Sequence, residues 1–154
     1  CQRETLLKLQ ENTVVFYTGI TRSASSILEE KQRAIAASSD KQAVLGHMVE
    51  LARQLKAELQ NNHLAAFGEI LHENWLLKKS LAKDVSNTRI DRWYAAARKH
   101  GAEGGKLLGA GSGGFLMFYA PRERHEAIAH ALRGLRQVPM RFEHQGSRII
   151  FVHH

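Results

Sequence analysis

The residues best suited to chemistry form a run of small residues from Gly109 to Gly114, with the sequence GAGSGG. Glycine has no Cβ, so the backbone N–H groups of such a run can turn toward one point and bind an anion such as phosphate. The run does not end in Gly-Lys-Ser/Thr, and a strand-like segment follows it, which argues against a Walker loop. A helical pattern precedes it, which argues against a dinucleotide fingerprint. An ordinary turn between two elements is the alternative.

The chain has nine histidines, which are common metal ligands in proteins. His125 and His130 are five positions apart, which does not match the i, i+4 spacing of a ligand pair on a helix. We therefore predict no metal site. Glu69, His72 and Glu73 fall together on one helical pattern, where a solvated face is expected rather than an acid/base group.

A short β-branched and aromatic run from Asn12 to Thr18, closed by Gly19, predicts the first strand. Four helical patterns follow it. They run from a cap at Thr21 or Ser23 to the Ser38 cluster, then over residues 41–59, 64–81 and 86–101.

A glycine-rich connection over residues 101–114 leads into a second strand, Phe115 to Tyr119, and Pro121 opens a helix that ends near Gly134. Two runs on either side of Gln145-Gly146, residues 139–144 and 147–152, predict a final hairpin. This order favours an α+β domain of two layers, with helices on one face of a largely antiparallel sheet.

Composition limits the function classes. A length of 154 residues with 44% hydrophobic content fits one domain, and no apolar stretch reaches the ~18 residues that cross a bilayer. A single cysteine fits a reducing compartment, so we expect a cytoplasmic protein. The net charge of +7 suits an enzyme that handles phosphates. Because the basic residues are dispersed and aromatics make up 7%, we expect no nucleic-acid partner.

The run from Lys106 to Leu116 resembles the third conserved motif of the GHMP kinase superfamily, a Gly-Ala-Gly-x-Gly-Gly loop near the carboxy terminus. The segment from Tyr17 to Ala24, YTGITRSA, resembles the sugar-phosphate kinases of that superfamily, in particular the heptose 7-phosphate kinase branch. Together with Trp75, the region from Asn87 to Arg92 and the final hairpin, the likeness covers nearly the whole chain.

The resemblance implies a ferredoxin-like two-layer sandwich, the carboxy-terminal domain of these kinases, with a multi-helix insertion between the first and second strands. Residues 1–154 would form this one domain. The amino-terminal domain of ribosomal-protein-S5 type, which in the family carries the main ATP-phosphate loop and the catalytic acid, would lie outside this sequence, which begins at Cys1. The resemblance thus places no catalytic residue in this chain, and we expect little activity from it alone.

The resemblance also implies ATP with Mg²⁺, a sugar-phosphate substrate and a partner amino-terminal domain; a homodimer is a further possibility. Phosphate and substrate would meet the loop residues Gly109, Ala110, Gly111, Ser112, Gly113 and Gly114. Further candidates for substrate contacts are Thr18, Gly19, Arg22 and Lys106. Two other hypotheses stay open: a non-catalytic ferredoxin-like module that binds a ligand or a protein, and an RNA-binding domain.

Overall fold

The computed structural model describes residues 1–21, 38–109, 111–143 and 146. The described elements, in chain order, are five α-helices, four strands and two short 3₁₀ turns. They are α1 (Arg3–Glu11), β1 (Thr13–Tyr17), α2 (Ser39–Gln60), α3 (Phe67–Leu81), a 3₁₀ turn (Lys83–Val85), α4 (Thr88–Lys99), β2 (Gly104–Leu108), β3 (Phe115–Tyr119), a 3₁₀ turn (Arg122–Arg124), α5 (His125–Ala131) and β4 (Arg136–Val138).

The four strands form one antiparallel sheet in the order β2-β3-β1-β4. With α4 before β2 and α5 before β4, this order is the connectivity of a ferredoxin-like unit. The predicted α+β class and ferredoxin-like fold are therefore confirmed. Helices α2, α3 and α4 all lie between β1 and β2, and our interpretation of the extra helices as an insertion stays a prediction.

The main core lies on one face of the sheet. Because side chains alternate along a strand, Phe16, Leu116 and Phe118 point to the same face, where α4 and α5 cover them with Ile90 and Ile128. The rings of Phe16 and Phe118 meet edge to face with centroids 6.3 Å apart. Burial of each such side chain contributes about 1.5–3 kcal/mol to folding.

Helix α1 covers part of the opposite face, which the sequence did not predict. Its Leu9 packs with Phe67, Leu71 and Tyr119, and Tyr119 alternates with Phe118 of the main core. In α1 only Thr5 and Leu9 are buried, so the segment looks polar in the sequence although it folds as a helix.

Strand β2 lies inside the stretch that we predicted to be a glycine-rich connection, and that prediction is wrong. Gly104 and Gly105 open the strand, which pairs with β3 from Gly104↔Tyr119 to Leu108↔Phe115. A Cβ at Gly104 would stand 1.8 Å from the carbonyl oxygen of Gly68 in α3. The glycines thus allow α3 to lie directly against the strand, although glycine is a poor strand former.

Several predicted boundaries also shift. The last described strand is β4 at Arg136–Val138, and residues 139–143 form no strand, so the first arm of the predicted hairpin is misplaced. Its second arm, residues 147–152, and most of the helix predicted from Thr21 or Ser23 lie outside the described residues. The helix after Pro121 is short and begins with a 3₁₀ turn. No helix in the described ranges is long and apolar enough to span a membrane.

Candidate functional site: a glycine-rich hairpin loop

The loop from Gly109 to Gly114 is a hairpin connection between β2 and β3, closed by the pair Leu108↔Phe115. We expected a helix before it, and the structure corrects this to a strand. The loop still differs from a dinucleotide fingerprint, because a strand and not a helix follows it. Its backbone has left-handed φ angles of 118° at Gly109, 108° at Gly111, 56° at Ser112 and 105° at Gly114. Glycine suits such angles, and Ser112 adopts one as a non-glycine residue.

The end of β1 holds one side of the loop. The N–H and the hydroxyl of Thr18 both donate to the carbonyl oxygen of Gly114, at 2.9 and 2.8 Å. The N–H of Gly114 donates in return to the carbonyl oxygen of Ile20 at 2.9 Å. A Cβ on Gly113 would stand 2.4 Å from that same oxygen, so the two backbones touch here. The loop and the chain after β1 thus form one rigid unit.

The turn before α4 holds the other side of the loop through Ser112. The N–H of Ser112 donates to the carbonyl oxygen of Val85 at 3.1 Å. The hydroxyl of Ser112 donates to the backbone carbonyl oxygen of Asp84 at 2.5 Å. Its carbonyl oxygen accepts from Nδ2 of Asn87 at 3.2 Å. Ser112 is buried. These three bonds compensate for its left-handed backbone, which costs free energy for a residue with a Cβ.

These contacts decide which loop amides remain free to bind a ligand. The N–H groups of Ser112 and Gly114 are used inside the fold, so the predicted set of six donors is too large. Those of Gly109, which is exposed, and of Gly111 and Gly113, which are buried, have no hydrogen-bond partner among the described residues. Ala110 lies outside the described residues. Phosphate binding by the loop stays a proposal, and it now depends on the N–H groups of Gly109, Gly111 and Gly113.

The amino terminus of α4 adds positive potential beside the loop. Asn87 caps this 12-residue helix, accepting from the N–H groups of Arg89 and Ile90 at 3.0 and 3.1 Å, while it also bonds to Ser112. Helix amino termini carry a partial positive charge that favours anions. The sequence predicted a cap at Ser86 or Asn87. It did not show that the cap touches the loop, because that contact spans 25 positions.

The further candidates fall in different places. Thr18 is buried, and its hydroxyl donates to Gly114 and accepts from the N–H of Ile20 at 3.3 Å, so it supports the loop. Its substrate contact stays a prediction. Gly19 is exposed with φ 70°. Lys106 is half-buried in β2, three positions before Gly109, where the loop begins. Arg22 lies outside the described residues.

The predicted solvated face at Glu69, His72 and Glu73 is correct for the two glutamates and wrong for His72. Both glutamates are exposed; Glu69 pairs with the half-buried Arg98, and Glu73 pairs with the exposed His47. His72 is half-buried, and its Nδ1 lies 2.9 Å from the hydroxyl of Tyr94, which in turn lies 3.3 Å from the carbonyl oxygen of Gly105.

The His72–Tyr94 contact is structural. The Gly105 oxygen can only accept, so Tyr94 donates to it and His72 Nδ1–H donates to Tyr94. Burial, together with the Arg98 guanidinium, lowers the pKa of His72, and burial raises the pKa of Tyr94. Both shifts favour neutral side chains near pH 7. The pair therefore ties α3, α4 and β2 together far along β2 from the loop.

Two open clefts lie at the far end of the sheet, with volumes of about 490 and 530 Å³. The residues that line the first include Glu4, Lys8, Glu103 and Tyr119. The second has Arg98, Lys99 and Arg124 at the carboxy-terminal end of α4, where the helix dipole is negative. None of the described loop residues lines either cleft.

The sequence and the fold of this chain are similar to those of known proteins. Residues 55–135, just over half of the chain and including the loop, match the family model described as GHMP kinases C terminal. D-glycero-alpha-D-manno-heptose 7-phosphate kinase of Campylobacter jejuni is 32% identical over 127 residues, which are 82% of this chain and 37% of that protein. Mevalonate kinase of Pyrococcus horikoshii is 30% identical over 147 residues, which are 88% of this chain and 42% of that protein.

A crystal structure of L. major mevalonate kinase in complex with R-mevalonate superimposes with a TM-score of 0.73 at 22% identity, covering 81% of this chain and 40% of that one. At this identity the likeness shows the fold. The chain spans about two-fifths of the length of the heptose 7-phosphate kinase and of the mevalonate kinase of Pyrococcus horikoshii. Since the family model matches just over half of the chain, including the loop, the chain belongs to the GHMP kinase family and has the fold of its carboxy-terminal domain.

Proposed function

We propose that this chain is the carboxy-terminal half of an ATP-dependent kinase that phosphorylates a hydroxyl of a sugar phosphate similar to heptose 7-phosphate. It would act in the cytoplasm together with an amino-terminal ATP-binding domain. The observation that carries the proposal is the loop from Gly109 to Gly114, rigidly held on two sides, with unpartnered N–H groups on Gly109, Gly111 and Gly113 among the described residues.

Phosphoryl transfer depends mainly on positioning and on stabilising negative charge. Fixed N–H donors do both without reorganising during the reaction. In the proposed mechanism the free loop amides bind oxygens of a phosphate group, and the positive end of α4 lowers the energy of its charge. The proton of the attacking hydroxyl would be taken by a residue of the amino-terminal domain. We therefore assign the chain a binding and orienting role.

The residues around the loop fit a phosphate and do not fit Mg²⁺. The free groups are N–H donors, which cannot ligate a cation, whereas Mg²⁺ prefers oxygen ligands. Within the part of the chain that the structure describes, no group of three or more His, Cys, Asp or Glu side chains could hold a metal ion. A Mg²⁺ ion that accompanies ATP would therefore have its protein ligands elsewhere, and we assign it no residue here.

The sugar-phosphate assignment is supported by the similarity to the Campylobacter jejuni heptose 7-phosphate kinase and by the charge of +7, which favours a substrate with its own phosphate. Mevalonate is the competing acceptor, because a mevalonate kinase is 30% identical. Mevalonate carries a carboxylate and no phosphate, so the two acceptors can be separated by experiment.

The test is a steady-state assay of ADP release by the intact enzyme, meaning this chain joined to its amino-terminal ATP-binding domain. Heptose 7-phosphate, the same heptose without its phosphate, and mevalonate serve as acceptors. We expect turnover of about 1–100 s⁻¹ with the sugar phosphate, as is usual for kinases. We expect none with mevalonate and none with residues 1–154 alone. Turnover with mevalonate only, or full turnover by residues 1–154, would refute the proposal.

A further inference from the structure

We infer that Asn87 is a positioning residue of the phosphate loop, because its side-chain amide sets the direction in which the Gly113 N–H points. The inference rests on the proposed function, since it assigns a task to a residue of the same site. Asn87 does not need to touch the substrate for this. It would act through the peptide group between Ser112 and Gly113.

The side chain of Asn87 is fixed at both of its polar atoms. Oδ1 accepts from the N–H groups of Arg89 and Ile90, at 3.0 and 3.1 Å, which caps α4. Nδ2 donates to the carbonyl oxygen of Ser112 at 3.2 Å. With Oδ1 held by the helix, Nδ2 has one direction left, toward the loop. The orientation of that loop carbonyl therefore depends on the start of α4.

The direction of the Gly113 N–H follows from the peptide group. Peptides are planar and, in this structure, trans, so the N–H of Gly113 points opposite to the C=O of Ser112. Because Asn87 binds that carbonyl on the side of α4, the Gly113 N–H points away from α4. Gly113 is buried, and its N–H has no partner among the described residues.

The peptides on either side are already fixed by other bonds. The N–H of Ser112 is held by Val85 and that of Gly114 by Ile20. A rotation of the Ser112–Gly113 peptide is thus the remaining local way to turn the Gly113 donor toward α4, and the Asn87 bond opposes it. Glycine at 113 makes such a rotation easy, since glycine accepts a wide range of backbone angles.

Substitutions at Asn87 can separate the cap from the loop contact. Ser and Asp cap helices about as well as Asn. In Asn87→Ser the side chain is too short to reach the Ser112 oxygen, and in Asn87→Asp the donor becomes an acceptor. In the intact enzyme we expect both variants to keep the thermal midpoint close to wild type. Both should lower kcat with the sugar phosphate by about 10-fold to 100-fold, because a misplaced donor loses transition-state stabilisation.

The control variant is Ser38→Ala, which removes the cap of α2, a bond from Lys41 N–H to Ser38 at 3.4 Å. It should lower the thermal midpoint and leave kcat and KM unchanged, since the hydrogen bond that it removes involves no residue of the loop. If only Asn87→Asp loses activity, the effect is charge repulsion and the inference is wrong. It is equally wrong if Asn87→Ser retains full kcat.

A crystal structure of residues 1–154 carrying Asn87→Ser gives a readout that needs no activity. We expect the Ser112–Gly113 peptide to rotate or to adopt two orientations. An unchanged peptide would overturn the inference. A wild-type intact enzyme that phosphorylates no sugar phosphate would instead refute the proposed function, while the peptide orientation still decides the role of Asn87.

Discussion

Replacing Gly113 with alanine in the intact enzyme is expected to lower kcat/KM for the sugar phosphate by about 100-fold or more. A Cβ at this position would stand 2.4 Å from the backbone carbonyl oxygen of Ile20, and backbone cannot rotate away as a side chain can. The loop must move from the end of β1, which displaces the Gly113 N–H and weakens the bond between Gly114 and Ile20. Steady-state kinetics and thermal denaturation of the same preparation measure the two effects.

Gly46→Ala is the matched control for this substitution. Gly46 lies in α2, and a Cβ there would meet no atom within 4 Å. Alanine is the better helix former, so we expect unchanged kinetics and a gain in stability of up to about 1 kcal/mol. Wild-type kcat/KM in Gly113→Ala would show that the loop does not need its observed shape for catalysis.

Gly104→Ala is expected to have the largest effect on stability, a loss of about 3 kcal/mol or more in the free energy of unfolding. Its Cβ would overlap the carbonyl oxygen of Gly68 at 1.8 Å, at the closest approach of α3 to β2. A Cβ on Gly68 would likewise stand 2.4 Å from the Cβ of Glu103. Relief of either overlap requires α3 to move away from the sheet, which would loosen the packing of Trp75.

Urea denaturation of residues 1–154 measures this loss, with Gly46→Ala again as the control because it makes the same chemical change at an open position. A variant within about 0.5 kcal/mol of wild type, the usual range for a neutral surface change, would contradict the close contact between α3 and β2.

Local patterns predicted the helices better than the strands. Helices α2, α3 and α4 have apolar periodicity and recognisable starts, and the structure gives α2 and α4 side-chain caps at Ser38 and Asn87. These signals are local in the sequence. Strand β2 escaped prediction because Gly104 and Gly105 have low strand propensity, and their role is to admit α3 and β3 at close range. That reason is visible only in the tertiary structure.

For the candidate site too, the local features could be predicted from the sequence and the tertiary contacts could not. The glycines of the loop and its motif were evident from the sequence, so its position between residues 109 and 114 could be predicted. The sequence could not show which loop amides lack a partner. The N–H groups of Ser112 and Gly114 donate to the carbonyl oxygens of Val85 and Ile20, which are distant along the chain. The left-handed backbone of Ser112 and its support from Asp84 likewise depend on non-local contacts.

The most direct test is a crystal structure of the intact enzyme with a non-hydrolysable ATP analogue and the sugar phosphate bound. We predict a phosphate oxygen within hydrogen-bond distance, about 2.7–3.1 Å, of the backbone nitrogen of Gly109, Gly111 or Gly113. Phosphate groups bound elsewhere, with all three of these N–H groups bonded only to protein or water, would contradict the role of the loop.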